Sequence, residues 1–185
     1  MLGNTVTSAI KTINGIVQFM HLTGRLWFLS VCFFVSAVEV FAQDVGTVAP
    51  AFNLEGISGN VNLPDLRGKV VYLDFWASWC GPCKESFPWM EQVQGRFSQK
   101  GLRVVAVNVD KRREDALKFL KNREPQITVV WDAQGITPKA YAVKAMPTSV
   151  LIGRDGKVIA VHRGFRPEDI AALERQVQLA LQTEE

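Results

Sequence analysis

The chain is short of several things. Its 185 residues include three cysteines, two histidines and two tyrosines, the formal charge is only +3, and the longest apolar run covers 13 residues. The low charge leaves no basic face of the kind that follows a phosphate backbone, so nucleic acid is not an expected partner. "KRRED", Lys111 to Asp115, sets acids beside bases and reads as a solvated helix start. No internal repeat and no low-complexity tract occurs. With 48% apolar residues, the composition is that of one compact globular domain with an additional N-terminal segment, and a monomer is expected.

The apolar run, "LWFLSVCFFVSAV" from Leu26 to Val38, lies in that segment. Lys11 and Arg25 precede it, and Val40 and Ala42 occupy the positions expected before a cleavage site at Gln43. Residues 1–42 are therefore expected to be a secretory signal, and residues 43–185 the domain. Met20 opens "MHLTGR", which gives a charged region of ordinary length and marks an alternative start. A membrane anchor is the competing reading, but a span needs about 20 apolar residues and Glu39 interrupts the extension. Cys32 as a lipoprotein site is disfavoured by the bulky Val31 and by the apolar residues that follow. Cleavage leaves two cysteines, Cys80 and Cys83, in an oxidising compartment outside the cytoplasm or in the periplasm.

Along the remaining chain, Phe52 to Leu54 and Val61 to Leu63 suggest a small hairpin ahead of the main fold. "VVYLDFW", Val70 to Trp76, has the continuous apolar character of a strand covered on both faces. A helix is expected over Pro82 to Gln99, with Phe87, Met90, Val93 and Phe97 on one side. A strand at Leu102 to Asp110, a short helix at Glu114 to Asn122 and a strand in "ITVVWD" follow. Thr137 and Pro138 are placed to open a further short helix through Tyr141. "TSVLIGRDGKVIAVH" reads as two strands joined at Asp155-Gly156, and Pro167 starts a last helix carrying Ile170, Leu173, Val177 and Leu181. Alternating strands and helices that end in a hairpin and a helix imply an α/β domain with a mixed central sheet flanked by helices.

Cys80 then falls where a buried strand passes into a helix, with Pro82 in the first turn. Free backbone N–H groups and the positive helix end favour a thiolate there. Cys83 lies on the same side of that turn, within bonding reach. So small a loop adds little fold stability. A structural zinc site needs about four ligands, whereas residues 43–185 supply two thiols and His162, remote in sequence. The spacing favours electron transfer over a staple or a metal, and no cofactor is expected.

The segment "FWASWCGPCK" resembles the active-site motif of thioredoxins. The preamble "APAFNLEG", the segment "LPDLRGKVVYLDFWASWC" and the later "YAVKAMPTSVLIGRDGKVI" make residues 45 to 182 similar to the TlpA/ResA-like exported branch of that superfamily. The resemblance implies a thioredoxin-like fold with an N-terminal β-hairpin extension and an inserted helix. It implies a thiol-disulfide oxidoreductase, with Cys80 as nucleophile, Cys83 as resolving thiol and Asp74 as the buried proton acceptor. Trp79, Gly81, Pro82, Met146 and Pro147 are implied to line the substrate site, and Pro147 to follow a cis bond. Pro88 matches a helix-kinking proline, and Trp76 is expected to pack in the core or flank the dithiol. Implied partners are disulfide-bonded envelope proteins, such as an apocytochrome c, and a membrane thiol-electron donor.

Two positions depart from the branch. Ser86 stands where many members carry a glutamate, with Glu85 turned by about 100° on the helix. Asp74 stands where many carry no acid. A copper carrier using both thiols and His162, and a peroxiredoxin-like antioxidant enzyme, are the alternative functions. The first asks for a route from His162 to the thiols, and the second for a Thr-x-x-Cys setting that is absent.

Overall fold

A computed structural model describes residues 45–183 except 122 and 124; the signal or anchor expected over residues 1–42 lies outside the described residues. One mixed sheet organises the domain. Its strands are β1 (Asn53–Gly56), β2 (Gly59–Asn62), β3 (Val70–Trp76), β4 (Leu102–Asn108), β5 (Thr128–Trp131), β6 (Thr148–Ile152) and β7 (Val158–Arg163). Their order across the sheet is β2-β1-β5-β4-β3-β6-β7. The helices are α1 (Gly81–Phe97), α2 (Arg113–Leu120), α3 (Ile136–Ala140) and α4 (Ile170–Gln182).

Every residue of β3 is buried, which explains its unbroken apolar sequence. β3 runs parallel to β4 and antiparallel to β6, so it is covered on both edges as well as both faces. Alternation sends Val70, Tyr72 and Trp76 into one core with α1, α2 and α4, and Val71, Leu73 and Phe75 into a second core with Tyr141 and the hairpin. Trp76 packs edge-on against Phe87 with ring centroids 4.7 Å apart, and Phe119 closes the cluster at 5.1 Å from each. Trp76 is thus a core residue with no exposed surface.

Several boundaries differ from expectation for identifiable reasons. The hairpin pairs Leu54 with Val61 and turns at Gly56 to Gly59, shifted toward its tip, and it joins the main sheet through Gly56 opposite Val130. It is an edge of the sheet as well as an extension. α2 ends at Leu120, before the expected Asn122. The helix beginning at Pro167 has first a single 3₁₀ turn, Pro167–Asp169, before α4 proper. α3 begins at Ile136, one residue before the expected Thr137, and Asp132 caps it. Its carboxylate accepts the N–H groups of Gly135, Ile136 and Thr137, the last at 2.6 Å. Thr137 is therefore inside the helix and its cap is supplied from the end of β5.

At one pole, Arg154 donates to the carbonyls of Gly68, Lys100 and Leu181. It ties the approaches to β3 and β4 to the last turn of α4. The opposite pole, where β3 ends, carries the cysteines.

Candidate active site

β3 ends at Trp76, and the chain turns through Ala77, Ser78 and Trp79 into α1. The turn is held by a carboxylate that follows β4. Asp110, buried, accepts the Ser78 N–H at 2.9 Å, the Ser78 hydroxyl at 3.1 Å and the Asn108 amide at 2.8 Å. Three donors to one buried carboxylate offset the cost of removing it from water. This interaction ends β4 at Asn108, earlier than the expected Asp110.

Cys80 is the N-cap of α1, with Pro82 in the first turn, where its missing N–H costs no helix bond. Its sulfur is bonded to that of Cys83 at 2.00 Å and accepts the Cys83 N–H at 3.3 Å. The two sulfurs are not equivalent. Both cysteines are buried, Cys83 completely and Cys80 at 5% exposure, and Cys80 is flanked by Trp79, which is 68% exposed, and by exposed Gly81 and Pro82. Pro88 sits inside α1 on its exposed side, and the helix runs on past it to Phe97.

The bond between Met146 and Pro147 is cis. Around it, the Thr148 hydroxyl donates to the Ala145 carbonyl at 2.7 Å, and Gly164 N–H donates to the Pro147 carbonyl at 2.7 Å. Pro147 is buried and Met146 half-buried, packed against the α1 core. Among the described residues, no backbone hydrogen bond engages Met146. The β6 ladder begins at Thr148, so Met146 and Pro147 lie outside it, in a bend.

Asp74 is 1% exposed. Its Oδ1 accepts the Ser149 hydroxyl at 2.6 Å, while Oδ2 is buried with no hydrogen-bond partner among the described residues. Burial pushes its carboxyl up to about 7, with the Ser149 hydrogen bond opposing. Tyr72 on the same face is raised too, first by burial and then by the charge of Asp74. Asp74 faces the layer in which α1 buries Cys83, because it alternates with Leu73 and Phe75. Ser86, also buried, donates its hydroxyl to the Cys83 carbonyl at 3.0 Å. It bonds backbone at the place where the branch often has an acid.

The sequence reading missed Ser78, Asn108, Asp110 and Ser149. Asn108 and Asp110 had a trace as the polar pair that closes the apolar strand "LRVVAVNVD", and Ser78 had none. Ser149 had none, since its partner depends on the pairing register of β3 with β6.

The Redoxin family profile matches residues 44–177. The thiol-disulfide oxidoreductase ResA of Bacillus subtilis is 39% identical over 126 residues, covering 68% of this chain and 70% of its own. A Geobacillus thermodenitrificans ResA is 36% identical, covering 71% and 77%. Among solved structures, a Chlorobium tepidum protein described as a thiol:disulfide interchange protein DsbE superposes with a TM-score of 0.73 at 56% identity, covering 75% of this chain and 98% of its own. With its thioredoxin-like fold, paired cysteines and these relatives, the chain belongs to the redoxin family as a TlpA/ResA-like thiol-disulfide oxidoreductase of the thioredoxin superfamily.

Proposed function

We propose that the protein is exported and reduces disulfides of envelope proteins through a Cys80/Cys83 dithiol cycle. The observation that carries this reading is the asymmetry of the bonded pair, with Cys80 at the helix start among exposed neighbours, itself 5% exposed, and Cys83 with no exposure. In the reduced form the Cys80 thiolate attacks a substrate sulfur. The substrate S–S bond breaks, a mixed disulfide forms, and the first substrate thiolate leaves and takes a proton. Cys83 gives its thiol proton to Asp74 Oδ2 and attacks the Cys80 sulfur. The mixed disulfide breaks, the Cys80–Cys83 bond forms, and the second substrate thiol is released. Two electrons pass from the pair to the substrate.

Trp79, Gly81, Pro82, Met146 and Pro147 form the docking rim, where Met146 backbone pairs with the substrate strand. Gly81-Pro82 is the dipeptide of thioredoxin, which supports a reducing direction and calls for a membrane thiol donor to recharge the pair. The apolar run Leu26 to Val38 with Val40 and Ala42 supports export. Disulfide-bearing partners such as an apocytochrome c fit the DsbE and ResA relatives. The copper-carrier reading needs His162 beside the thiols, and the register puts it on β7, beyond β6 from the strand that leads to them.

Trapping tests the cycle. Cys83→Ser accumulates Cys80 mixed disulfides with envelope proteins on non-reducing gels, and Cys80→Ser accumulates none. Failure of both to capture, together with no reduction of insulin disulfides by the wild type, overturns the reading.

A further inference from the structure

Asp74 lies in a row of side chains that crosses five strands. Register places Val129 (β5), Ala106 (β4), Asp74 (β3), Ser149 (β6) and His162 (β7) opposite one another in turn. Directly paired residues share a face, with Cβ atoms about 4.5–5.5 Å apart. On one side of the acid the row is entirely apolar. On the other it is polar to the rim of the domain.

Contacts hold each end of the polar half, Asp74 to Ser149 and His162 to Asp169, and the ladder pairing of Ser149 with His162 joins the two. Ser149 Oγ donates to Asp74 Oδ1 at 2.6 Å and also meets the Tyr72 side chain, which leaves it one lone pair for a further donor. His162 is half-buried, its side chain 29% exposed. Its Nε2 is buried without a hydrogen-bond partner among the described residues, 3.5 Å from Asp169 Oδ2. Asp169 is itself held by Arg166 at the entrance to α4. An imidazole can both accept and release a proton.

We propose that the row Asp74–Ser149–His162 carries protons between the buried acid and solvent, with Ser149 as the positioning and relaying residue and His162 as the port. This rests on the proton-acceptor role proposed for Asp74. After the carboxyl takes the Cys83 proton, rotation about its Cβ–Cγ bond presents the protonated oxygen to Ser149. The carboxyl proton passes to Ser149 Oγ as the Ser149 hydroxyl proton passes to the imidazole. The imidazolium releases a proton to water from the exposed edge of its ring at the rim. One proton enters the row, one leaves, and Asp74 returns to the carboxylate. The other titratable and charged groups about the row are Tyr72 on β3, the cysteines at the start of α1, and Asp169 with Arg166 before α4; β4 and β5 contribute only Ala106 and Val129.

The test follows disulfide reduction by the dithiol form across about pH 5 to 9, in water and in D2O, for Asp74→Asn, Ser149→Ala, Ser149→Thr, His162→Gln and His162→Ala. His162→Gln and Ser149→Ala are expected to slow the resolving step about tenfold and to change its pH profile and solvent isotope effect together, at the low end of what proton transfer contributes. Ser149→Thr, which keeps the hydroxyl, retains the wild-type profile, and added imidazole restores His162→Ala. Near-UV circular dichroism confirms that each variant is folded. A slow Asp74→Asn with wild-type behaviour in both His162→Gln and Ser149→Ala, or no rescue of His162→Ala by imidazole, overturns the row alone. A wild-type Asp74→Asn overturns the acceptor role beneath it.

Discussion

A carboxyl raised from 3.8 to about 7 by burial makes Asp74 a destabilising residue at neutral pH. Between those values the folded protein holds a proton that the unfolded chain has released. Stability therefore falls as pH rises through that window, and the whole penalty is present above it. The interval corresponds to an effect on the order of 4 kcal/mol. Asp74→Asn is expected to be more stable than wild type at pH 8, to approach it at pH 4, and to reduce disulfides more slowly; urea midpoints at the two pH values check the stability terms. Equal midpoints at pH 8 would show that Asp74 is better solvated than its surroundings indicate. The sequence made this residue visible because a charged side chain interrupts an apolar strand. Its tuning was invisible, because Ser149 meets it only through the β3–β6 register.

At the scale of elements, the turn between β3 and α1 depends on a side chain just beyond β4. Asp110→Ala leaves the Ser78 N–H, its hydroxyl and the Asn108 amide without their carboxylate. A loss of about 2–4 kcal/mol is expected, together with slower disulfide exchange because Cys80 is no longer held at a fixed distance from its partner surface. Chemical denaturation reports the first and the rate of insulin reduction the second. Unchanged exchange with lowered stability would mean that α1 alone orients the thiols. Strands and helices were legible here because β3, β4 and α1 follow hydrophobic patterns that need no knowledge of their neighbours. What escaped was polar and non-local. Asp132 capping α3, Asp110 bonding Ser78, and Gly56 joining the hairpin to β5 each rest on contacts between elements distant in the chain. The end of β4 illustrates the competition, since Asp110 leaves the strand to satisfy the turn.

Over the whole molecule, the redox poise measures which form the fold stabilises, since for a two-electron pair about 30 mV equals about 1.4 kcal/mol. The closed loop is short, so its chain-entropy contribution to the oxidised form is small. The thioredoxin-type Gly81-Pro82 pair then places the expected potential nearer to about −270 mV than to about −120 mV. Equilibration with glutathione or dithiothreitol buffers measures it, and a value above about −150 mV would assign an oxidising role instead. The two poles of the domain are held by different means, Asp110 beneath the thiols and Arg154 at the far end, where it binds the last turn of α4. For work on surfaces this polarity is useful. A tether attached after α4 anchors the protein by the end remote from Trp79 and Cys80, so immobilised molecules present their reactive sulfur to the solution and can be used to fish for partners.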